Sequence, residues 1–142
     1  MSNIFEKIDL FSGFSDKQIK AVFKLGNRVL IEANDFLFKE GELSKGLYII
    51  LGGKFSTEYN GVKKNFTAGS VFSSLSIVDD TKHRLSVQAV QKSQYFHLTK
   101  EQYNKLKENS PKFALKLQEN VMKSYLNKTE KLEKIFLEKS WK

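Results

Sequence analysis

The 142-residue sequence contains no cysteine, and this absence removes several kinds of chemistry at once. Disulfides, thiolate catalysis and cysteine-based zinc or iron–sulfur sites all require the thiol group. Histidine is also scarce, since only His83 and His97 are present. A metal site built on imidazole ligands is therefore not expected either.

Long apolar runs are missing as well. No stretch of eighteen apolar residues occurs, and the N-terminus has no basic segment followed by an apolar one. A membrane-spanning helix needs about twenty consecutive apolar residues, and an export signal needs the basic-then-apolar order. We therefore expect a cytoplasmic protein that does not associate with a membrane.

Acidic residues are the minority among the charged side chains, with 16 Asp and Glu against 24 Lys and Arg. The basic residues are spread along the chain and interleaved with acids, whereas nucleic-acid surfaces cluster their cations on one face. The net charge of +8 therefore indicates solvated surface. The carboxylate pair Asp79 and Asp80 has no patterned nucleophile or histidine and is explained by turn formation, so an enzyme is not expected.

The middle of the chain is built from short β-type runs. Over residues 27–98, apolar segments are separated by turn residues, which is typical of an antiparallel sandwich or roll. Asn60-Gly61 is the strongest single signal, because a type I′ hairpin turn needs positive φ at both positions. We predict an α+β fold that is mainly β: an antiparallel β-roll or jelly-roll of about eight strands.

Helices are predicted on both sides of this region. Ser15 with Gln18 and Thr99 with Gln102 have the spacing of capping boxes, which open helices. Gly26 is predicted to end the first of these helices in the left-handed conformation. The chain is thus expected to form one domain over residues 1–142, with short N-terminal helices over 3–26, the roll over 27–98 and C-terminal helices over 99–142.

The last predicted helix is long. It runs from Pro111 to about Lys139 without a Gly or second Pro to stop it, and at 1.5 Å per residue it would reach about 40 Å. An apolar stripe follows its length, and an exposed strip of that kind is a liability unless it is covered. We therefore predict a parallel homodimer through this helix, with contacts from Leu117, Val121, Tyr125, Leu132, Ile135 and Phe136.

Several glycine-marked phrases resemble, in order and in spacing, the signature phrases of the cyclic nucleotide-binding domain family. They are Phe11-Ser-Gly-Phe14, Glu40-Gly41-Glu42, Leu47-Tyr-Ile-Ile-Leu-Gly-Gly-Lys54 and Ala68-Gly69-Ser-Val-Phe72. The resemblance covers residues 3 to about 137 and implies that family's fold for nearly the whole chain. It also implies that segment 66–89 corresponds to the family's phosphate-binding cassette.

The cassette-like segment departs from the family pattern. The family has a Phe-Gly-Glu-Leu phrase, whose helix-terminal N–H groups meet the phosphate and whose Glu accepts a hydrogen bond from the ribose. Phe72 and Leu75 keep their places here, but Ser73 stands for Gly and Ser74 stands for Glu. The two serines are still suitable residues for opening a helix.

The family's phosphate-binding Arg falls on His83 or, if the preceding loop is one residue longer, on Arg84. Adjacent strand residues face opposite sides, so the alignment decides whether a fixed cation lines the pocket. His83 would be only partly charged near neutral pH. The candidate ligand-binding residues are Phe72, Ser73, Ser74, Leu75, His83, Arg84, Leu85, Ser86 and Thr129, the last matching an adenine contact on the long helix of catabolite-activator-type members.

Three functions are compatible with these features. The first is a non-catalytic sensor or regulatory module with a degenerate cassette, taking a cyclic nucleotide (cAMP or cGMP) or another small anion. The second is the N-terminal sensor and dimerisation domain of a catabolite-activator-type transcription regulator. In that family a helix-turn-helix follows the long helix, so we do not expect this chain, which ends at Lys142, to bind DNA alone. The third is a ligand-free protein-interaction module.

Overall fold

The structure, a computed structural model, describes the backbone of residues 8–140 and the side chains of residues 8–127. The described residues form an antiparallel β-roll of two four-stranded sheets, with short helices before it and a long helix after it. The predicted fold class is therefore confirmed. No helix in the described part of the chain is both long enough and apolar enough to span a bilayer.

The strands are β1 (Asn27–Ile31), β2 (Phe36–Phe38), β3 (Gly46–Gly52), β4 (Phe55–Tyr59), β5 (Val62–Phe66), β6 (Val71–Phe72), β7 (Val87–Ala89) and β8 (Ser93–Thr99). The helices are α1 (Asp16–Leu25), α2 (Lys100–Asn109) and α3 (Pro111–Ser140), with short 3₁₀ helices at Asp9–Phe11 and Ser74–Ile77. One sheet has the order β1-β8-β3-β6 and the other has the order β2-β7-β4-β5.

Local signals in the sequence fix several of these boundaries. At the β4–β5 turn, Asn60 has φ 51° and Gly61 has φ 79°, as the predicted hairpin requires. Both predicted capping boxes are present, at the starts of α1 and α2. Gly26 was predicted wrongly, because its backbone is extended with φ −86°. A Cβ at Gly26 would lie 2.3 Å from Cζ of Phe96, so close packing explains the glycine.

The N-terminal part of α3 packs into the core of its own chain. Leu117 and Val121 are completely buried there, together with Ala114. The Tyr103 hydroxyl donates a hydrogen bond to the Ala114 carbonyl over 3.1 Å and thereby connects α2 to α3. The Asn120 amide donates to the carbonyl of Leu10 over 2.9 Å and so connects α3 to the N-terminal segment.

This packing corrects the predicted dimer contacts. Leu117 and Val121 cannot contact a second chain, because the chain's own core already covers them. Tyr125 borders a cavity, described below. Leu132, Ile135 and Phe136, which complete the predicted stripe, lie where the structure describes only the backbone.

A different face of α3 carries exposed apolar side chains. Leu115, Met122 and Leu126 are 55%, 40% and 54% exposed. Their spacings of seven and four place them on one side of the helix. The sequence of α3 therefore has two apolar faces. The face with Leu117 and Val121 is buried in the core, and the other is left exposed.

Candidate ligand-binding site

A cavity of about 670 Å³ lies between the cassette-like segment, the β-roll and α3. Ligand pockets commonly have volumes of about 300–1,000 Å³, so this one could hold a small molecule. It is lined by Phe38, Thr57, Phe66, Phe72, Ser73, Leu75, Asp80, Thr81, Lys82, His83, Arg84, Leu85, Val87 and Tyr125.

The backbone at Ser73 is left-handed, with φ 60° and ψ 32°. Glycine adopts this conformation without strain, whereas a residue with a Cβ does so at some cost. The position at which the family has Gly therefore keeps a glycine-like backbone here. Ser73 precedes the 3₁₀ helix at Ser74–Ile77 without capping it, since its hydroxyl lies 3.1 Å from Nδ1 of His83 instead.

The short helix is fastened to the neighbouring sheet by Ser76. The buried Ser76 hydroxyl lies 2.7 Å from the Gly46 carbonyl and 2.5 Å from the Ser73 carbonyl. Gly46 begins β3 with φ 138°, and a Cβ there would lie 2.2 Å from the carbonyl oxygen of Leu98. Contacts outside the cassette phrase therefore help to hold its backbone in place.

His83 is the residue directed at Ser73. Its side chain is only 6% exposed, and its imidazole stacks on the Phe38 ring with centroids 3.7 Å apart. The backbone of His83 is also held: its backbone N–H donates to the Glu42 carbonyl over 2.9 Å, and its backbone carbonyl accepts from the Gly41 N–H over 2.8 Å. Burial lowers the pKa of His83, an effect that the nearby Glu42 charge opposes. The imidazole is therefore neutral near neutral pH.

The charged residues that border the cavity are all solvent-exposed. They are Asp80, Lys82 and Arg84. The Asp80 carboxylate accepts a hydrogen bond from Lys100 Nζ over 2.8 Å, so its charge is already compensated. Among the described residues, no group of three or more His, Cys, Asp or Glu could hold a metal ion.

The structure brings together part of the predicted ligand-binding set. Phe72, Ser73, Leu75, His83, Arg84 and Leu85 line the cavity. Ser74 borders a separate recess of about 280 Å³, which residues 8–10 also line. The Ser86 hydroxyl accepts a hydrogen bond from the Glu40 N–H over 2.9 Å and is not a lining group. Thr129 lies where only the backbone is described.

Sequence reasoning missed several lining residues, the aromatic ones above all. Phe38 lies on β2, remote in sequence from the cassette-like segment, and β2 pairs with β7, which carries the lining residue Val87. Phe66 begins the cassette-like segment, but the family phrase, which starts at Phe72, does not include it. Tyr125 was assigned to the dimer stripe on its helical spacing. A helical stripe shows which side chains share a face, but not what that face covers.

Comparison with known proteins identifies the family. Residues 28–110 match the family model described as "Cyclic nucleotide-binding domain", which is more than half of the chain. The chain therefore belongs to the cyclic nucleotide-binding domain family. The resemblance inferred from the glycine-marked phrases is confirmed.

Solved structures share the fold at low sequence identity. The N-terminal domain of a transcriptional regulator from Streptomyces coelicolor A3(2) superposes with a TM-score of 0.78 at 18% identity, covering 91% of this chain and 94% of that one. A cyclic nucleotide-binding domain from Methylobacillus flagellatus KT gives a TM-score of 0.75 at 20% identity, covering 96% and 80%. The catabolite activator protein of Thermus thermophilus gives 0.70 at 21% identity, covering 89% and 62%.

A curated relative is similar over a short region. The cAMP/cGMP-dependent 3′,5′-cAMP/cGMP phosphodiesterase B of Dictyostelium discoideum is 31% identical over 75 residues. The match covers 51% of this chain and spans only 7% of the length of that enzyme.

Proposed function

We propose that this chain is a non-catalytic sensor or regulatory module that takes a small ligand in the cassette cavity and binds cyclic nucleotides weakly. The observation that carries the proposal is the cavity itself, which lies against the cassette-like segment and has His83 directed at Ser73. On this proposal, the neutral imidazole of His83 takes the position where the family directs a fixed cation at the phosphate.

Weak nucleotide binding follows from the groups that are missing. Losing a hydrogen bond to a charged group costs about 1.5–3 kcal/mol, which corresponds to roughly a ten- to hundredfold loss of affinity. Ser74 stands for the glutamate of the family cassette, and with His83 at the arginine position both charged groups are replaced. The first N–H groups of the short helix, at Ser74 and Leu75, have no acceptor within that helix and could still contact an anion.

The curated relative supports a binding role rather than a catalytic one. Its name describes an enzyme that depends on cAMP or cGMP, and the matched segment is a small fraction of it. The same segment in this chain lies within the family of ligand-binding domains.

Calorimetric titration of the purified protein with cAMP, cGMP and cyclic dinucleotides tests this proposal. We expect weak heats with a cyclic nucleotide and their loss in Leu85→Trp, which places a large side chain at the cavity. Tyr59→Trp, an exposed position away from the cavity, is the matched control. Flat traces with every ligand would remove cyclic nucleotide sensing, and nanomolar affinity would contradict the degenerate cassette.

We also propose that two copies associate through α3, using the face formed by Leu115, Met122 and Leu126 rather than the stripe predicted from sequence. Its spacing of seven and four suits the seam between two helices. Sedimentation should give a dimer at tens of micromolar for the wild type and a monomer for Met122→Lys/Leu126→Lys. The control is Leu30→Lys, an exposed leucine on β1. A monomeric wild type would contradict the proposal.

A second candidate is the sensor half of a transcription regulator. It is favoured by the S. coelicolor domain, because this chain spans 94% of a structure described as the N-terminal domain of such a regulator. The reading frame downstream of Lys142 tests it. A helix-turn-helix segment there would support this candidate, and an immediate stop codon would exclude it.

A further inference from the structure

The cassette cavity is polarised from inside to outside. Its buried lining includes Phe38 and Val87, and the half-buried rings of Phe66 and Phe72 continue this apolar surface. The residues that contribute full charges to the lining are exposed. We call the first group the floor of the cavity and the second its rim.

The floor is aromatic and held in shape by ring contacts. Phe72 packs edge-on against Phe66, with centroids 4.9 Å apart, and against Phe38, with centroids 5.8 Å apart. The polar groups beside these rings are the neutral His83 imidazole and the Ser73 hydroxyl, which bond to each other. An ionised group placed on this floor would lose its hydration without gaining a fixed cation, which is unfavourable.

The rim is cationic. Lys82 and Arg84 flank His83 in sequence, and both side chains are exposed at the cavity. The acidic lining residue, Asp80, is already bonded to Lys100. The rim therefore offers two positive charges to an anion, on the solvent-exposed part of the lining.

We propose that the cavity binds amphipathic organic anions, with an aromatic or aliphatic body on Phe66 and Phe72 and with the acidic group at Lys82 and Arg84. This inference rests on the proposed ligand-sensing function and adds the chemical class and the orientation of the ligand. The acidic group lies at the rim because the aromatic floor favours apolar rings, whereas the cations of the rim attract anions.

A matched pair of fluorescent probes separates the two halves of the proposal. 8-Anilino-1-naphthalenesulfonate and N-phenyl-1-naphthylamine share one ring system, and only the first carries a sulfonate. We expect both to bind, with the sulfonate about five- to tenfold tighter, since each exposed ion pair contributes modestly. The preference should decrease as salt is added, because exposed charges are screened.

Variants test which residues bind the sulfonate and which bind the ring system of the probe. In Lys82→Gln/Arg84→Gln the sulfonate preference should fall to within about twofold, because the ion pairs of the rim are gone. Lys63→Gln, which removes an exposed cation from β5 outside the cavity, should keep it. Phe72→Ala should weaken both probes in parallel, whereas Tyr59→Ala, an exposed ring outside the cavity, should weaken neither. Circular dichroism melts verify that each variant is folded.

The outcomes are distinguishable from failure of the proposed function. Equal affinity of the two probes, or a preference that survives the rim double variant, overturns the orientation. Probe binding that is insensitive to Phe72→Ala overturns the placement of the body. If neither probe binds but cAMP does, this inference fails while ligand sensing stands. If neither the probes nor any cyclic nucleotide binds, both fail together.

Discussion

The imidazole of His83 lies flat on the ring of Phe38, with centroids 3.7 Å apart and planes inclined by only 7°. Burial favours the uncharged form of the ring, because a cation there would lose its hydration. The Ser73 hydroxyl on Nδ1 is a neutral hydrogen-bond partner. His83 is therefore also a source of pH-dependent stability.

We predict that the protein becomes less stable as the pH falls from about 7.5 to about 5.5. The pKa of His83 is lowered in the folded state, so below its ordinary value of 6.5 the unfolded chain binds more protons. The stabilisation is complete above that value and is lost as the pH falls toward the folded pKa. Urea midpoints at both pH values, for wild type and His83→Gln, measure the effect. The variant should show a smaller decrease.

His97 is the necessary comparison for this experiment. Burial also lowers its pKa, although its hydrogen bond to the Lys45 carbonyl opposes the shift. His97→Gln should therefore remove a separate part of the pH dependence, and the double variant should remove both. A slope that is unchanged in His83→Gln would mean that Glu42, the acidic neighbour, compensates the cost of burial.

Restoring the family's groups should strengthen nucleotide binding. We predict that Ser73→Gly/Ser74→Glu/His83→Arg binds cAMP at least about tenfold more tightly than wild type, because one charge-assisted hydrogen bond is worth that much. The left-handed backbone at Ser73 already suits glycine. Calorimetry measures the change, and Ser73→Gly alone is the control. Equal affinities of triple variant and wild type would show that the missing side chains do not limit binding.

A glycine pair tests the packing explanation for Gly26. Gly26→Ala should destabilise the fold by about 1–3 kcal/mol, because its Cβ would lie 2.3 Å from the Phe96 ring and 2.9 Å from the His97 carbonyl. Gly52→Ala, where nothing lies within 4 Å, should change the free energy of unfolding by less than about 1 kcal/mol. Chemical denaturation compares the two. Equal effects would contradict the packing explanation.

Two leucines on α3 test which face of the helix is internal. Leu117→Ala should cost about 2–5 kcal/mol, since the side chain is fully buried. Leu115→Ala, two residues away and exposed, should change the free energy of unfolding by no more than about 0.5 kcal/mol at protein concentrations where the chain is monomeric. Urea denaturation of both variants gives the comparison. A costly Leu115→Ala under those conditions would contradict this assignment of faces.

The fold was predictable because its signals are local and agree with one another. Asn60-Gly61 dictates a particular turn, and Ser15 with Gln18 dictates a helix start, whatever the rest of the chain does. Gly26 was misread because two mechanisms favour glycine there and its sequence context fits both. The distance to Phe96, which decides between them, belongs to tertiary structure.

The site was predictable only where the cassette phrase itself supplies it. Phe72, Leu75 and His83 could be found from the resemblance, and all three line the cavity. Phe38 could not, because it reaches the cavity through the pairing of β2 with β7 and not through sequence spacing. Phe66 begins the cassette-like segment, but the family phrase starts at Phe72 and assigns it no role. The choice between His83 and Arg84 depended on one residue of loop length, which sequence pattern does not determine.

The hydrogen bonds of the Ser76 hydroxyl affect how the cassette turn can change in sequence. Its hydroxyl ties the cassette turn to the Gly46 carbonyl, so the shape of the turn does not depend on the ligand-binding residues themselves. Substitutions at the half-buried positions 73 and 74 can then change the recognition chemistry while Ser76 keeps the turn in place. The backbone of the cassette is thus held independently of its recognition side chains, which leaves the cassette open to ligands other than the one for which the family is named.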